Sequence, residues 1–128
     1  AEKIPNVVGV QSAACAPLAQ AFRKGWREPT SITKKKTLAE GIAIAQPVRG
    51  RQILAAIRES GGEMLTVTER EIDVSLKEMG RRGHFIEPTS AATLAGLKNY
   101  LKKRDKQGIV ISTLTGIGLK TTEKIGHL

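Results

Sequence analysis

Two short segments carry residue types that could bind a ligand. Residues 115–118 (TGIG) offer two glycines, which let a backbone approach a ligand closely or turn with a positive φ angle. Residues 87–90 (EPTS) stand at the start of a helical pattern, where hydroxyls can cap the helix and free N–H groups can bind an anion. Neither segment is a dinucleotide fingerprint or a phosphate loop, because the required glycine and lysine spacing is missing. A plain turn at 115–118 and a structural cap at 87–90 therefore stay open as alternatives.

The residue types alone assign no catalytic or metal-binding set. Cys15 is the only cysteine, which excludes an internal disulfide and fits a reducing compartment, so we expect a cytoplasmic protein. Cys15 and His84 could be a thiolate pair, but a lone cysteine beside an apolar segment is typically a small buried hydrophobe. No His, Cys and carboxylate cluster has metal-ligand spacing, so no metal site is expected.

The charge of the chain limits the partners to consider. The sequence of 128 residues contains 21 Lys and Arg against 12 Asp and Glu, a formal charge of +9. A basic balance can indicate nucleic acid or phosphate, but the one dense run, residues 34–36, has no aromatic neighbour for base stacking. A solvated basic surface is therefore favoured over an α/β module that binds an anion or a nucleic acid. No apolar run approaches the roughly 20 residues that span a bilayer, so no membrane partner is expected.

Apolar runs and helical periodicity predict the elements that position these segments. Strands are predicted where short apolar runs are bounded by Gly, Pro or Asn, at 7–10, 64–67, 84–86 and 109–114. Helices are predicted at 16–24, 50–60, 69–80 and 89–104. Thr68 and Glu71 form a capping box for the third helix, and Thr89 or Ser90 could cap the fourth.

The alternation of strand and helix predicts the fold class. We expect one α/β domain over 1–128, with an open, mostly parallel sheet of about four strands and helices on both faces. In such sheets ligands bind outside the carboxyl ends of the strands. The segments at those ends are 11–13, 68–69, 87–90 and 115–118.

Three stretches, read together, resemble the C-terminal part of threonine synthases and their close relatives. They are VVGVQSAACAPL at 7–18, the stretch from AEGIA to TEREI at 39–72, and IEPTSAATLAGL with IVISTLTGIGLK at 86–97 and 109–120. These enzymes belong to the fold type II, tryptophan-synthase-β-like group that uses pyridoxal phosphate. The resemblance covers nearly the whole chain, but this region separates threonine synthases poorly from threonine dehydratases and cysteate synthases.

The resemblance implies that the chain is a fragment of a longer enzyme. Such enzymes hold pyridoxal phosphate as a Schiff base on a lysine and bind its phosphate with a Gly-rich loop, both located before the strand at 7–10. No lysine here matches that motif, and Lys120 is not a counterpart. Residues 1–128 would thus be the C-terminal portion of the large domain, inactive without a missing N-terminal segment. The parent lyase would convert O-phosphohomoserine and water into threonine and phosphate, so its substrate is a small amino acid.

The resemblance also implies four residues at the cofactor. Thr115 matches the hydroxyl residue beside the pyridine nitrogen, where a neutral group does not favour the charged ring as an Asp would. Gly116 would keep the turn close to the ring. Glu87 matches a residue at the pocket wall, and Gly41 matches a backbone stretch near the ring in dehydratases.

Two positions differ from the residues that related enzymes have there. Ile117 replaces the polar residue of the TGNG or TGHG that many threonine synthases have, which leaves the substrate open. Gln11 stands where some dehydratases place a metal-binding acid, which disfavours a metal site.

The resemblance also has a consequence for assembly. A sheet without the missing segment that should pack against it exposes apolar surface or an open edge, so we expect a homodimer or a larger assembly.

Overall fold

The computed structural model describes residues 4–103 and 108–125, in which each of two strands is followed by several helical elements. The strands are β1 (Val8–Ser12) and β2 (Glu63–Val67). The helices are α1 (Pro17–Arg23), α2 (Gly50–Glu59), α3 (Glu69–Arg81), α4 (Pro88–Lys102) and α5 (Thr122–Ile125). Two 3-10 turns cover Glu40–Ile42 and Gly118–Thr121. Within the described ranges no helix has both the length and the apolar character that crossing a membrane requires.

The two strands form a parallel sheet with helices on both faces. Val8 lies opposite Glu63 and Ser12 opposite Val67, so both carboxyl ends reach the same edge. Side chains alternate between the faces of a strand. Met64 packs with α1 and α2 on one face, and Val67 packs with α3 and α4 on the other. The layered α/β class predicted from the sequence is therefore confirmed.

The number of strands in the sheet differs from the prediction. The predicted strands at 7–10 and 64–67 are confirmed, but the described residues form a sheet of two strands instead of about four. Residues 84–86 contribute a single antiparallel bridge, between Ile86 and Ile117. Residues 109–114 pair with no strand of the described chain. Their apolar composition suits a strand, but a strand forms only where a neighbouring backbone can pair with it.

The four main helices match their predicted positions within one or two residues. The predicted end of the last one, residue 104, lies outside the described residues. The capping box is confirmed, because the N–H of Glu71 donates to Thr68 Oγ1 at 3.3 Å and the N–H of Thr68 donates to the Glu71 carboxylate at 2.7 Å. The predicted hydroxyl cap of α4 is wrong. Glu87 is the N-cap residue and forms no side-chain cap, so Thr89 and Ser90 lie inside the first turn.

Close packing of α4 on β1 depends on small residues. The buried face of α4 consists mainly of Ala and Gly, and a Cβ atom at Gly96 would overlap Val10 Cγ2 of β1. The helix axis can therefore lie nearer to the sheet than larger side chains would permit. This packing fixes the start of α4 relative to the carboxyl end of β1.

Candidate functional site

The 115–118 turn is attached to the segment that leads into α4. The N–H of Gly116 donates to Ser90 Oγ at 3.1 Å, and the N–H of Glu87 donates to the Gly116 carbonyl at 3.1 Å. One residue later, the Ile86–Ile117 bridge continues the pairing. The N–H of Gly118 then donates to the Phe85 carbonyl at 2.9 Å. The two segments singled out in the sequence, 87–90 and 115–118, therefore form one unit.

Ser90 joins the two segments, and the sequence does not predict this contact. It is fully buried. Besides accepting from the Gly116 N–H, its Oγ lies 3.3 Å from the Gly116 carbonyl oxygen and 3.4 Å from Thr115 Oγ1. A hydroxyl has one proton to donate, so Ser90 donates to one of these oxygens at a time. The sequence shows that it lies near the start of a helix, but its partners lie 25 and 26 residues further along the chain.

Thr115 and Gly116 form the outer edge of this unit. Thr115 is exposed, so its hydroxyl is accessible and can serve a ligand as donor or acceptor. A Cβ atom at Gly116 would overlap the carboxylate of Glu87, which is half-buried beside it. Only glycine therefore leaves the Glu87 carboxylate in its present place.

Gly41 reaches the same region from a different part of the chain. It lies in the 3-10 turn Glu40–Ile42, and a Cβ atom there would stand 2.8 Å from Thr89 Oγ1. Because Thr89 precedes Ser90 in α4, the 3-10 turn borders the first turn of that helix. The structure thus brings Gly41, Glu87, Thr115 and Gly116 together around the start of α4.

A second polar cluster lies at the carboxyl ends of the strands. The Glu69 carboxylate accepts hydrogen bonds from Ser12 Oγ at 2.9 Å, from Thr37 Oγ1 at 2.6 Å and from the Leu38 N–H at 2.7 Å. We call this group, Glu69 with Ser12, Thr37 and the Leu38 backbone, the Glu69 cluster. Burial alone would raise the pKa of Glu69, but the hydrogen bonds from Thr37, Leu38 and Ser12 outweigh it and lower the pKa.

The hydroxyls of the Glu69 cluster have their other hydrogen bonds occupied. Ser12 Oγ accepts from the Ala14 N–H at 3.1 Å, and Thr37 Oγ1 accepts from the Ala39 N–H at 3.2 Å. Each hydroxyl therefore accepts from a backbone N–H and lies within donating distance of the carboxylate, and Thr37 Oγ1 also lies 3.0 Å from Ser12 Oγ. Since Ala39 is two residues before Gly41, the cluster also fixes the loop that carries Gly41. The strand-end rule pointed to segments 11–13 and 68–69, but it did not identify Thr37.

Cys15, His84 and Gln11 are the remaining side chains that the sequence singled out. Cys15 is fully buried, and this burial raises the pKa of its thiol despite the opposing effect of Lys34. His84 is exposed, so the two do not form a thiolate pair in a common pocket. Gln11 is buried, and its Oε1 accepts from the Ala19 N–H at 3.0 Å in the first turn of α1. Within the described residues, no three His, Cys, Asp or Glu side chains are grouped as a metal ion would need.

A sequence profile described as "Pyridoxal-phosphate dependent enzyme" matches residues 1–116. The chain belongs to this family. Its similarity to the threonine synthase of Methanocaldococcus jannaschii is 35% identity over 122 residues, covering 93% of this chain and 30% of that protein. Its similarity to the threonine synthase of Synechocystis is 37% identity over 123 residues, covering 93% of this chain and 29% of that protein. The chain therefore spans about 30% of the length of these pyridoxal-phosphate-dependent relatives, as expected of a fragment.

Solved structures of other proteins share the fold of this family member. The processed form of threonine deaminase isoform 2 from Solanum lycopersicum superimposes with a TM-score of 0.77 at 18% identity, over 95% of this chain and 35% of that chain. Maize serine racemase superimposes with a TM-score of 0.67 at 16% identity, over 95% of this chain and 38% of that chain. At these identities the likeness concerns the fold, and it confirms the α/β class.

Proposed function

We propose that this chain is the C-terminal portion of a pyridoxal-phosphate-dependent lyase of the threonine synthase type. The parent reaction would convert O-phosphohomoserine and water into threonine and phosphate. The observation that carries the proposal is the Ser90–Gly116 hydrogen bond of 3.1 Å, which joins the two segments that resemble the family's cofactor edge. The identities of 35% and 37% to two threonine synthases support the choice of reaction.

The residues around the 115–118 turn fit one edge of a pyridoxal phosphate ring. Thr115 offers an exposed hydroxyl, and the absence of a side chain at Gly116 allows a flat ring to approach the backbone. Thr115 would hydrogen-bond the pyridine nitrogen, and Glu87 and Gly41 would line the wall beside the ring. When bound, the cofactor withdraws electrons from the reacting carbon of the amino acid. A neutral threonine does not hold a proton on the ring nitrogen as an aspartate would, so it moderates this withdrawal.

The remaining parts of the active site would come from outside residues 1–128. The Schiff-base lysine and the loop for the cofactor phosphate have no counterpart in this sequence. The chain alone would therefore present one wall of the site and would not turn over substrate. The missing N-terminal segment would supply the covalent attachment and the phosphate contacts.

A threonine dehydratase is the second candidate for the parent enzyme. The apolar Ile117 in the TGIG turn favours it. The substrate of a dehydratase carries no phosphate, so this enzyme needs no polar group at position 117. The two candidates share the cofactor and differ in the substrate.

The test compares the isolated chain with the polypeptide encoded by the complete reading frame. The complete enzyme should release phosphate from O-phosphohomoserine, whereas the isolated chain with added pyridoxal phosphate should release none. Formation of 2-oxobutanoate from threonine, without phosphate release from O-phosphohomoserine, would identify the parent enzyme as the dehydratase instead of the synthase. Phosphate release by the isolated chain would overturn the fragment proposal.

Variants of the complete enzyme test the role of Thr115. Thr115→Val should shift the absorbance spectrum of the bound cofactor and lower kcat, and Thr115→Ser should restore both, because only a hydroxyl is needed. Thr30→Val, in an exposed loop, is the matched control and should change neither. An unchanged spectrum in Thr115→Val would show that Thr115 does not hydrogen-bond the ring nitrogen.

A further inference from the structure

Glu69 binds two other parts of the chain through neutral hydrogen-bond donors. Ser12 Oγ at the end of β1, Thr37 Oγ1 and the Leu38 N–H donate to its carboxylate over 2.6–2.9 Å. None of the ion pairs between described residues includes Glu69. A hydrogen bond depends on direction as well as on distance. The carboxylate therefore fixes the orientation of the loop that contains Thr37 and Leu38, and also its distance from β1.

The groups that surround the Glu69 carboxylate are buried. Ser12 is fully buried and Thr37 is 5% exposed. Ala39, whose N–H donates to Thr37 Oγ1 at 3.2 Å, is also fully buried and belongs to the same apolar core as Ile86. Burying a polar group that has lost its hydrogen-bond partner is unfavourable. The loop therefore stays in one position as long as the cluster is intact.

The loop extends from the Glu69 cluster to Gly41. The 3-10 turn Glu40–Ile42 begins at the residue after Ala39 and closes with a hydrogen bond of 3.2 Å back to the Ala39 carbonyl. A displacement of Ala39 therefore moves Gly41 with it. Gly41 borders α4, because a Cβ atom there would stand 2.8 Å from Thr89 Oγ1. The Glu69 cluster thus controls the gap between this turn and the start of α4.

We propose that Glu69 is a positioning residue of the cofactor site, which acts through Thr37 on the gap between Gly41 and the first turn of α4. The assignment rests on the proposed function, in which Gly41 lines the wall beside the cofactor ring. Ser90 holds the 115–118 turn at the same helix start by a separate hydrogen bond. A displacement of about 1 Å in an active site can lower a rate about a hundredfold. The Glu69 cluster therefore affects kcat although it lies outside the ring contacts.

The experiment compares Thr37 variants of the polypeptide encoded by the complete reading frame. Thr37→Val keeps the branched shape of the side chain and removes the hydroxyl that donates to Glu69. We expect amide hydrogen exchange in the 38–42 peptide, measured without ligand, to be at least about tenfold faster. We also expect a shifted absorbance spectrum of bound pyridoxal phosphate and a kcat lower by about tenfold to a hundredfold, with a smaller change in KM. Thr37→Ser should restore all of these quantities, because it retains the hydroxyl.

Two further variants separate positioning from a general loss of stability. The double variant Thr37→Val with Glu69→Gln should lose little more kcat than Glu69→Gln alone, because both substitutions break the same hydrogen bond. Ile57→Val is the control, since Ile57 is buried in the core on the other face of the sheet. It should lower the midpoint of thermal unfolding and leave exchange in 38–42, the spectrum and kcat unchanged. All measurements are made where circular dichroism shows every variant folded.

Three results would overturn the role of Glu69. Unchanged exchange in 38–42 of Thr37→Val would show that the loop keeps its position without the cluster. Faster exchange with an unchanged spectrum and kcat would show that the loop does not affect the cofactor site. Equal losses in Thr37→Ser and Thr37→Val would show that the hydroxyl is not the cause. A wild-type enzyme that binds pyridoxal phosphate but acts on another amino acid would overturn the proposed reaction alone, because exchange needs no ligand and the spectrum needs only the cofactor.

Discussion

Ser12 at the end of β1 donates a hydrogen bond of 2.9 Å to Glu69, which opens α3 directly after β2. The carboxylate therefore joins the carboxyl ends of both strands. Through Thr37 and Leu38 it also joins them to the loop that leads to Gly41. One acidic side chain thus determines how a distant loop approaches the first turn of α4.

Replacing Glu69 by Gln should destabilise the fold at neutral pH. Three donors converge on the carboxylate, and an amide has one acceptor oxygen, so at least one N–H or O–H loses its partner. We expect a loss of about 1.5–3 kcal/mol in the free energy of unfolding, measured with urea. Glu59→Gln, at the exposed end of α2, is the isosteric control and should change it by less than about 0.5 kcal/mol.

The effect of Glu69→Gln should depend on pH in a defined direction. The folded state lowers the pKa of Glu69, so its contribution is fully present above the ordinary carboxyl pKa of about 4.3. The contribution is lost as the pH falls through the lower pKa of the folded state. The difference between wild type and variant should therefore shrink as the pH is lowered below about 4.3. A difference that stays constant with pH would contradict the assigned role.

Replacing Ser90 by Ala should loosen the 115–118 turn. The variant leaves the half-buried Gly116 N–H without its acceptor, for an expected loss of about 1–3 kcal/mol. Hydrogen exchange at Gly116 should accelerate more than exchange in α3. Ser31→Ala, in the exposed loop, is the control and should alter neither quantity. Unchanged exchange at Gly116 would show that the Glu87 and Ile117 backbone contacts hold the turn without Ser90.

How much the sequence predicted depends on the range over which each signal acts. The capping box at Thr68 and Glu71 spans three residues, so type and spacing alone reveal it. The helix patterns are similarly local. The Glu69 cluster unites residues 12, 37 and 69, and no spacing rule marks that set. The carboxyl-end rule did identify the neighbourhood, because it follows from the geometry of parallel strands.

The error in the strand count has a different origin. The composition of 109–114 predicts a strand, but the structure assigns this segment no regular secondary structure. Whether it joins a sheet depends on a neighbouring backbone, and in the described chain a groove lies between this segment and β1. Composition indicates whether a segment favours the strand conformation. Pairing also requires a second segment beside it, which composition does not reveal. The same distinction applies to Ser90, whose place in the sequence predicts a helix cap, whereas its hydroxyl accepts from the distant Gly116 N–H.

The closeness of Gly116 and Glu87 can be tested with a double-mutant cycle. Gly116→Ala introduces a Cβ that overlaps the Glu87 carboxylate, so this side chain must move. We expect a loss of about 1–3 kcal/mol for the single variant. Adding Glu87→Ala should recover most of that loss, because the overlapping atoms are then absent. Additive effects of the two substitutions would contradict the observed contact.

The isolated chain should self-associate through 109–111. Ile109 and Ile111 are 93% and 88% exposed, and such apolar residues on an unpaired edge favour association. We expect light scattering to show a dimer or larger species that the double variant Ile109→Lys with Ile111→Lys converts to monomer. Val48→Lys, equally exposed but distant in sequence from this segment, should not do so. A wild-type chain that stays monomeric at high concentration would contradict this expectation.

The contact between Gly96 and Val10 predicts opposite outcomes for two Gly→Ala substitutions. A Cβ at Gly96 overlaps Val10 Cγ2, so Gly96→Ala should push α4 from β1 and destabilise by about 1–3 kcal/mol. Gly80→Ala is the matched control, because Gly80 lies in α3 and a Cβ there meets nothing within 4 Å. It should stabilise the fold by up to about 1 kcal/mol through helix propensity. Thermal unfolding is measured for both variants and for the double variant Gly96→Ala with Val10→Ala. If Val10→Ala does not lessen the loss in Gly96→Ala, the close approach of α4 to β1 is not its cause.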